Sequence, residues 1–109
     1  MIFTAYTPSG STRDPFVVDT KHFATCYRTI STDTLAKTTL TFVLPCGREF
    51  TVDTAGYIQN RGGTLQEQRE DAEDLAKRLH SIMSHNWHKD QRVELWPLGE
   101  IKIDGFIVS

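Results

Sequence analysis

Apolar and polar positions alternate most clearly over residues 36–44. Ala36, Thr38, Leu40, Phe42 and Leu44 fall on one face, and Lys37, Thr39, Thr41 and Val43 on the other. A period of two marks a strand with one buried face. Pro45-Cys46-Gly47 follows, then a second run from Arg48 to Asp53. Proline presets φ at the first turn position and glycine takes a positive φ at the last. That order suits a three-residue hairpin loop with a glycine bulge. Folded on this loop, Leu44 faces Arg48, Phe42 faces Phe50 and Leu40 faces Val52. The apolar faces then coincide, and this is what sets register in a half-buried sheet.

Residues 91–104 repeat the grammar. Gln91 to Trp96 leads into Pro97-Leu98-Gly99, then Glu100 to Asp104. The same loop length sets Leu95 opposite Ile101 and Val93 opposite Ile103. On the other face it sets Glu94 opposite Lys102 and Arg92 opposite Asp104. Cross-strand pairs of opposite charge contribute about 0.2–1 kcal/mol each.

Between the hairpins the period changes. Leu65, Ala72, Leu75, Ala76, Leu79, Ile82 and Met83 recur at three- and four-residue steps, the spacing of a helix face. Gly62-Gly63 breaks the chain ahead of it. Thr64-Leu65-Gln66-Glu67 has the spacing of a capping box. Acids crowd the first half and Lys77, Arg78 and His80 the second, which complements the helix dipole. Glu73–Lys77 and Asp74–Arg78 are acid-first pairs four residues apart. The pattern predicts one helix from about 65 to about 85.

The N-terminal part is less regular. Ile2–Tyr6 reads as a short strand, residues 7–15 as a loop, and Phe23–Ile30 as a strand; Tyr57-Ile58 extends or follows the Phe50 strand. Thirteen of the fourteen threonines precede position 55, and β-branched residues suit a pleated surface. The expected fold is a single α+β domain over residues 1–109. Its order is β-β-β-β-α-β-β, a mainly antiparallel sheet with one amphipathic helix on one face.

Composition narrows the function classes. The chain has 109 residues, 39% hydrophobic, with a net charge of −2. Residues 1–54 carry five charges of each sign, and residues 55–109 carry seven basic against nine acidic groups. A nucleic-acid binder usually shows a basic footprint, and none of that size is present. No apolar run approaches the roughly 18–20 residues of a membrane helix, and residues 1–15 do not read as a secretory signal. Cys26 and Cys46 are too few for a disulfide scaffold. The expectation is a cytoplasmic protein with reduced thiols.

Several sets of residues bear on chemistry. His80, His85 and His88 lie close enough in sequence to share a metal, with Asp90 beyond, but no CxxC or HExxH pattern accompanies them. The alternative is a helix end whose histidines interact with the dipole. His22 and Cys26 share a strand face about 13 Å apart, too far for an activated thiolate; Cys46 sits in a turn. Thr7 to Arg13 has the composition of an anion loop without phosphate-loop spacing. Glu70, Asp71, Glu73 and Asp74 form an acidic helix face, either simply solvated or used to steer a basic partner. Trp87, His88, Lys89, Arg92 and Trp96 interleave aromatics with bases: either both tryptophans close the core where the helix ends against the final hairpin, or the segment serves as an interface anchor or binds single-stranded nucleic acid.

No catalytic constellation has workable spacing. The sequence therefore points to a non-catalytic protein-binding module without a cofactor, of the kind that includes stoichiometric inhibitors and bacteriophage or mobile-element accessory proteins acting on a host complex. Its expected partner-binding residues are Glu70, Asp71, Asp74, Trp87, Lys89, Arg92 and Trp96. A nucleic-acid module using Trp87–Trp96 and a small metal- or thiol-dependent enzyme are the alternatives.

Overall fold

A computed structural model describes residues 1–7, 15–29, 38–58 and 63–108. Its elements are β1 (Ile2–Ala5), β2 (Phe16–Asp19), β3 (Thr25–Thr29), β4 (Thr39–Val43), β5 (Glu49–Asp53), α1 (Leu65–Asn86), β6 (Arg92–Leu95), β7 (Ile101–Ile103) and β8 (Phe106–Ile107). This is the expected α+β class: antiparallel pairing dominates, and a single 22-residue helix packs on the strands.

Both hairpins have the register that their apolar faces require. Leu40 pairs with Val52 and Phe42 with Phe50. Leu95 pairs with Ile101, Glu94 with Lys102 and Val93 with Ile103. In the first loop Gly47 has φ +92°, and its N–H donates to the Leu44 carbonyl at 2.8 Å. The charged face of the second hairpin differs from expectation. Lys102 lies 3.6 Å from Glu100 and 4.6 Å from the centroid of the Trp96 ring. Glu94 accepts the Tyr6 hydroxyl at 3.0 Å. Asp104 accepts the backbone N–H of Arg92 at 3.0 Å rather than its guanidinium. Lys102 is thus matched by a carboxylate two residues back, Glu94 by a hydroxyl on the residue after β1, and Asp104 by the backbone of the residue opposite it rather than by its charge.

The strands form two sheets rather than one. β3, β4 and β5 make an antiparallel three-stranded sheet. The other five follow the order β2-β1-β6-β7-β8, in which β1 runs parallel to β6. The alternation pattern brought out neither β2 nor β8. β2 is four residues long and pairs with β1. β8 returns on Asp104-Gly105, with φ of 51° and 86°. Two positive φ values are what a two-residue type I′ hairpin turn needs.

The helix matches its signals. Thr64 Oγ1 accepts the Glu67 N–H at 3.2 Å, and Ala72, Leu75, Ala76, Leu79 and Met83 are buried. Leu65 is 54% exposed, so the buried stripe starts at Ala72, about two turns later than the periodicity implied. Asp74 pairs with Arg78 at 3.3 Å; among the described residues Glu73 and Lys77 form no ion pair. Phe3 of β1 and Phe42 of β4 bring the sheets together, their ring centroids 5.5 Å apart. Leu75, Leu79 and Met83 complete the same core with Val93, Leu95 and Ile101. In β3, Cys26 faces this core while Thr25, Tyr27 and Thr29 face outward. Phe23 precedes that strand and meets Phe42 and Phe50 edge-on. Residue 30 lies outside the described residues, as do Ala36 and Lys37.

One buried hydroxyl ties three segments. Thr20 Oγ1 accepts the N-terminal ammonium at 3.1 Å. It lies 2.8 Å from the Trp87 carbonyl and 3.2 Å from the Met1 carbonyl, either of which can take its proton. The beginning of the chain is thereby fixed to the end of α1.

Candidate docking cleft

Asp71, Asp74, Leu75 and Arg78 recur at three- and four-residue steps and line one side of α1. Opposite them stand Tyr57 and Ile58, at the end of the 3-10 turn Thr54–Tyr57, and Leu98 and Gly99 from the β6–β7 loop. Together they enclose a cleft of about 350 Å³. Tyr57, Ile58 and Leu75 lie at its base but are themselves buried, so the surface that the cleft exposes is mostly polar. Its helix rim carries the charges.

Backbone conformation explains the far wall. Gly99 has φ +77°, and a Cβ there would stand 3.1 Å from the Tyr57 carbonyl and 3.7 Å from the Leu75 methyls. Only glycine lets the hairpin tip approach the 3-10 turn this closely. The residue before it is less comfortable. Leu98 has φ 67° and ψ 18°, a left-handed conformation that costs a non-glycine residue about 1–2 kcal/mol. Leu98 is also 60% exposed, so burial does not offset that cost. The loop departs from the expected geometry, in which glycine alone takes a positive φ: Leu98 adopts one as well as Gly99.

The two rim carboxylates have different surroundings. Asp74 pairs with Arg78, and both side chains are largely exposed. Asp71 is half-buried and has no ion pair among the described residues. Tyr57 donates its hydroxyl to the Tyr6 carbonyl at 2.6 Å, and burial holds its phenol above the ordinary tyrosine range. It supplies the floor with an apolar ring whose hydroxyl is committed elsewhere.

The residues singled out in the sequence divide by location. Asp71 and Asp74 line the cleft. Glu70 lies on the exposed side of α1 and accepts Gln66 Nε2 at 3.3 Å. Trp87 is half-buried with its ring stacked toward Phe42, centroids 6.4 Å apart. Trp96 stacks on Tyr6 at 4.1 Å, and its buried indole N–H has no partner among the described residues. Lys89 is exposed in the turn after α1. Arg92 lines a separate polar depression with Asp19, Lys21, Asp90 and Asp104. The aromatic–basic segment is therefore not one continuous surface. The cleft residues Tyr57, Leu98 and Gly99 were not singled out. Leu98 carried a signal nonetheless: an apolar residue at a turn tip between proline and glycine.

The remaining candidates have simpler settings. His80 is half-buried, His85 and His88 are exposed, and among the described residues no three His, Cys, Asp or Glu side chains converge to hold a metal. His22 is exposed in the 3-10 turn Thr20–His22, outside the strand that holds Cys26. Both cysteines are free; Cys26 is buried and Cys46 exposed. Desolvation pushes the Cys26 thiol up to about 11, away from reactivity. Residues 8–13 of the expected anion loop and Gly62 lie outside the described residues. No described helix is long and apolar enough to cross a membrane.

What the fold defines is an α+β domain with a charged-rim cleft between its helix and its last long hairpin. Compared with protein-family models, curated proteins and solved structures, the chain matches none of them.

Proposed function

We propose that this protein is a non-catalytic protein-binding module that works by stoichiometric docking, and that its partner seats in the cleft between α1 and the 97–99 loop. The observation that carries this reading is the meeting of two features at one place. Asp71 and Asp74 of the acidic helix face stand across the cleft from Leu98, a large exposed side chain held in an unfavourable backbone conformation. Exposed apolar groups beside charge are typical of docking surfaces. Strain maintained at a surface turn is a reason to look for function there.

The nucleic-acid alternative has less support. Base stacking needs free aromatic faces, whereas Trp87 is packed toward Phe42 and Trp96 against Tyr6 and Lys102. The aromatic–basic segment contributes to this reading only through its loop.

Affinity capture with three forms of the protein tests the proposal. Wild type and a Phe106→Asp control, altered at an exposed site away from the cleft, should recover the same protein. Leu98→Asp should lose it. Aspartate tolerates the left-handed conformation better than leucine, so this variant keeps its fold. Unchanged recovery by Leu98→Asp would overturn the proposal, as would recovery of nucleic acid alone.

A further inference from the structure

We propose that the free edge of β8 pairs with the same edge of a second copy of this chain, antiparallel about a two-fold axis at Ile107. Such pairing is independent of what the cleft binds. β8 closes one side of the five-stranded sheet, next to β7. Val108 donates its N–H to the Ile101 carbonyl at 2.9 Å, and Phe106 pairs with Ile103. Bonding direction alternates along an antiparallel strand. The N–H and C=O of Ile107, between these two residues, therefore point away from β7 to the open edge.

Two further observations distinguish this edge. First, it lacks the charges that keep strand edges from pairing. The other outer strands of the described sheets carry them: Asp19 in β2, Arg28 in β3, Glu49 and Asp53 in β5. Phe106, Ile107 and Val108 are uncharged, and they are 77%, 64% and 51% exposed. Second, the strand borders a groove whose exposed surface is mostly apolar. Ile82 of α1, Ile101 and Ile103 of β7, and Val108 line this hollow of about 310 Å³, with Arg78 and Ser81 on its helix side.

A second copy suits both features. With the axis at Ile107, each Ile107 N–H donates to the carbonyl of the other, the two-bond pairing of an antiparallel ladder. The same register sets Phe106 of one copy opposite Val108 of the other. Paired residues on neighbouring strands project to one face, and Val108 marks that face as the groove side. Each copy thus lays an exposed phenylalanine ring beside the groove of its mate. The contact is self-complementary, as a two-fold interface requires, and no like charges meet across the strand pair. Three side chains a copy fall well short of the roughly 20–30 residues a side of a standard interface. The dimer is therefore weak, with a dissociation constant on the order of 0.1 mM.

Sedimentation equilibrium of the full chain from about 10 µM to about 1 mM tests the proposal. The mean mass should climb from one chain toward two and stop there. Ile107→Lys, which puts a charge on the exposed edge, should weaken association at least about tenfold. Val17→Lys, on the opposite edge strand and also exposed, should associate as wild type does. Amide hydrogen exchange followed by NMR reads the unaltered chain. The Ile107 amide should exchange several-fold more slowly at the highest concentration than at the lowest, and the Val108 amide, already bonded to Ile101, should respond less.

A monomer up to about 1 mM, with Ile107 exchanging alike throughout, would overturn the proposal and leave the edge to a strand of another protein. So would a dimer that survives Ile107→Lys, or one in which the Ile107 amide stays unprotected. Partner capture through Leu98 tests the cleft separately, so either reading can fail without the other.

Discussion

The Thr20 hydroxyl offers a prediction in which two substitutions must fall in a defined order. Thr20 is fully buried, and its Oγ1 accepts the N-terminal ammonium and donates to a backbone carbonyl, that of Trp87 being nearest. Thr20→Val keeps the volume and replaces the hydroxyl with a methyl. The ammonium loses an acceptor and a carbonyl at the end of α1 loses a donor. Leaving a buried polar group unpaired costs about 1–3 kcal/mol, so two such groups come to about 3 kcal/mol. Thr20→Ser keeps the hydroxyl and deletes one buried methyl, worth about 1 kcal/mol. Urea unfolding followed by tryptophan fluorescence reads both, since the slope shows whether the transition keeps its cooperativity. The valine variant should be the less stable by about 2 kcal/mol. A serine variant as weak as, or weaker than, the valine variant would refute the reasoning and show that Thr20 contributes by packing.

Two further outcomes follow from local geometry and titration. Gly99→Ala should destabilise by about 2 kcal/mol, since a left-handed φ costs about 1–2 kcal/mol and the new Cβ also crowds the Tyr57 carbonyl. Gly47→Ala, with φ +92° in open space, should lose only the conformational part; thermal melts that rank the two alike would remove the role given to the Tyr57 contact. Cys26 supplies a pH dependence of definite sign: its folded thiol titrates near 11, above the unfolded value of about 8.5. The protonated form is thus favoured by folding, and this stability is complete below about pH 8.5 and is lost as pH rises toward 11. Against Cys26→Ala, wild type should lose on the order of 3 kcal/mol more over that window, and parallel stability curves for the two proteins would contradict the assignment.

Much of the architecture was legible because it rests on short-range patterns. A three-residue loop fixes which residues oppose one another, so the pairing of Phe42 with Phe50 and of Val93 with Ile103 followed from counting. The capping threonine and the three- and four-residue apolar steps likewise placed α1 within a residue of its ends. The turn before β8 was legible too, as Asp104-Gly105 between apolar residues, but the reading stopped at Asp104. Leu65 was misplaced for a physical reason: periodicity identifies a face, while burial of its first turn depends on what stands opposite.

The candidate site was only half legible. The acidic side of α1 stood out in the sequence, but its opposite wall comes from residues 57–58 and 98–99, which no local spacing connects. The sequence left open whether Trp87 and Trp96 close the core or face a partner; the rings of Phe42 and Tyr6 against them decide for packing.

The sequence alone determined the α+β class, the helix, both three-residue-loop hairpins and their registers, because each depends on backbone geometry and side-chain alternation over a few residues. Only the tertiary structure decided that the strands divide into two sheets and that β1 lies parallel to β6. It also decided that Leu98 stands across from Asp71. Those relations join segments many residues apart, and they are set by which apolar faces bury one another most completely, a property of the whole packed chain.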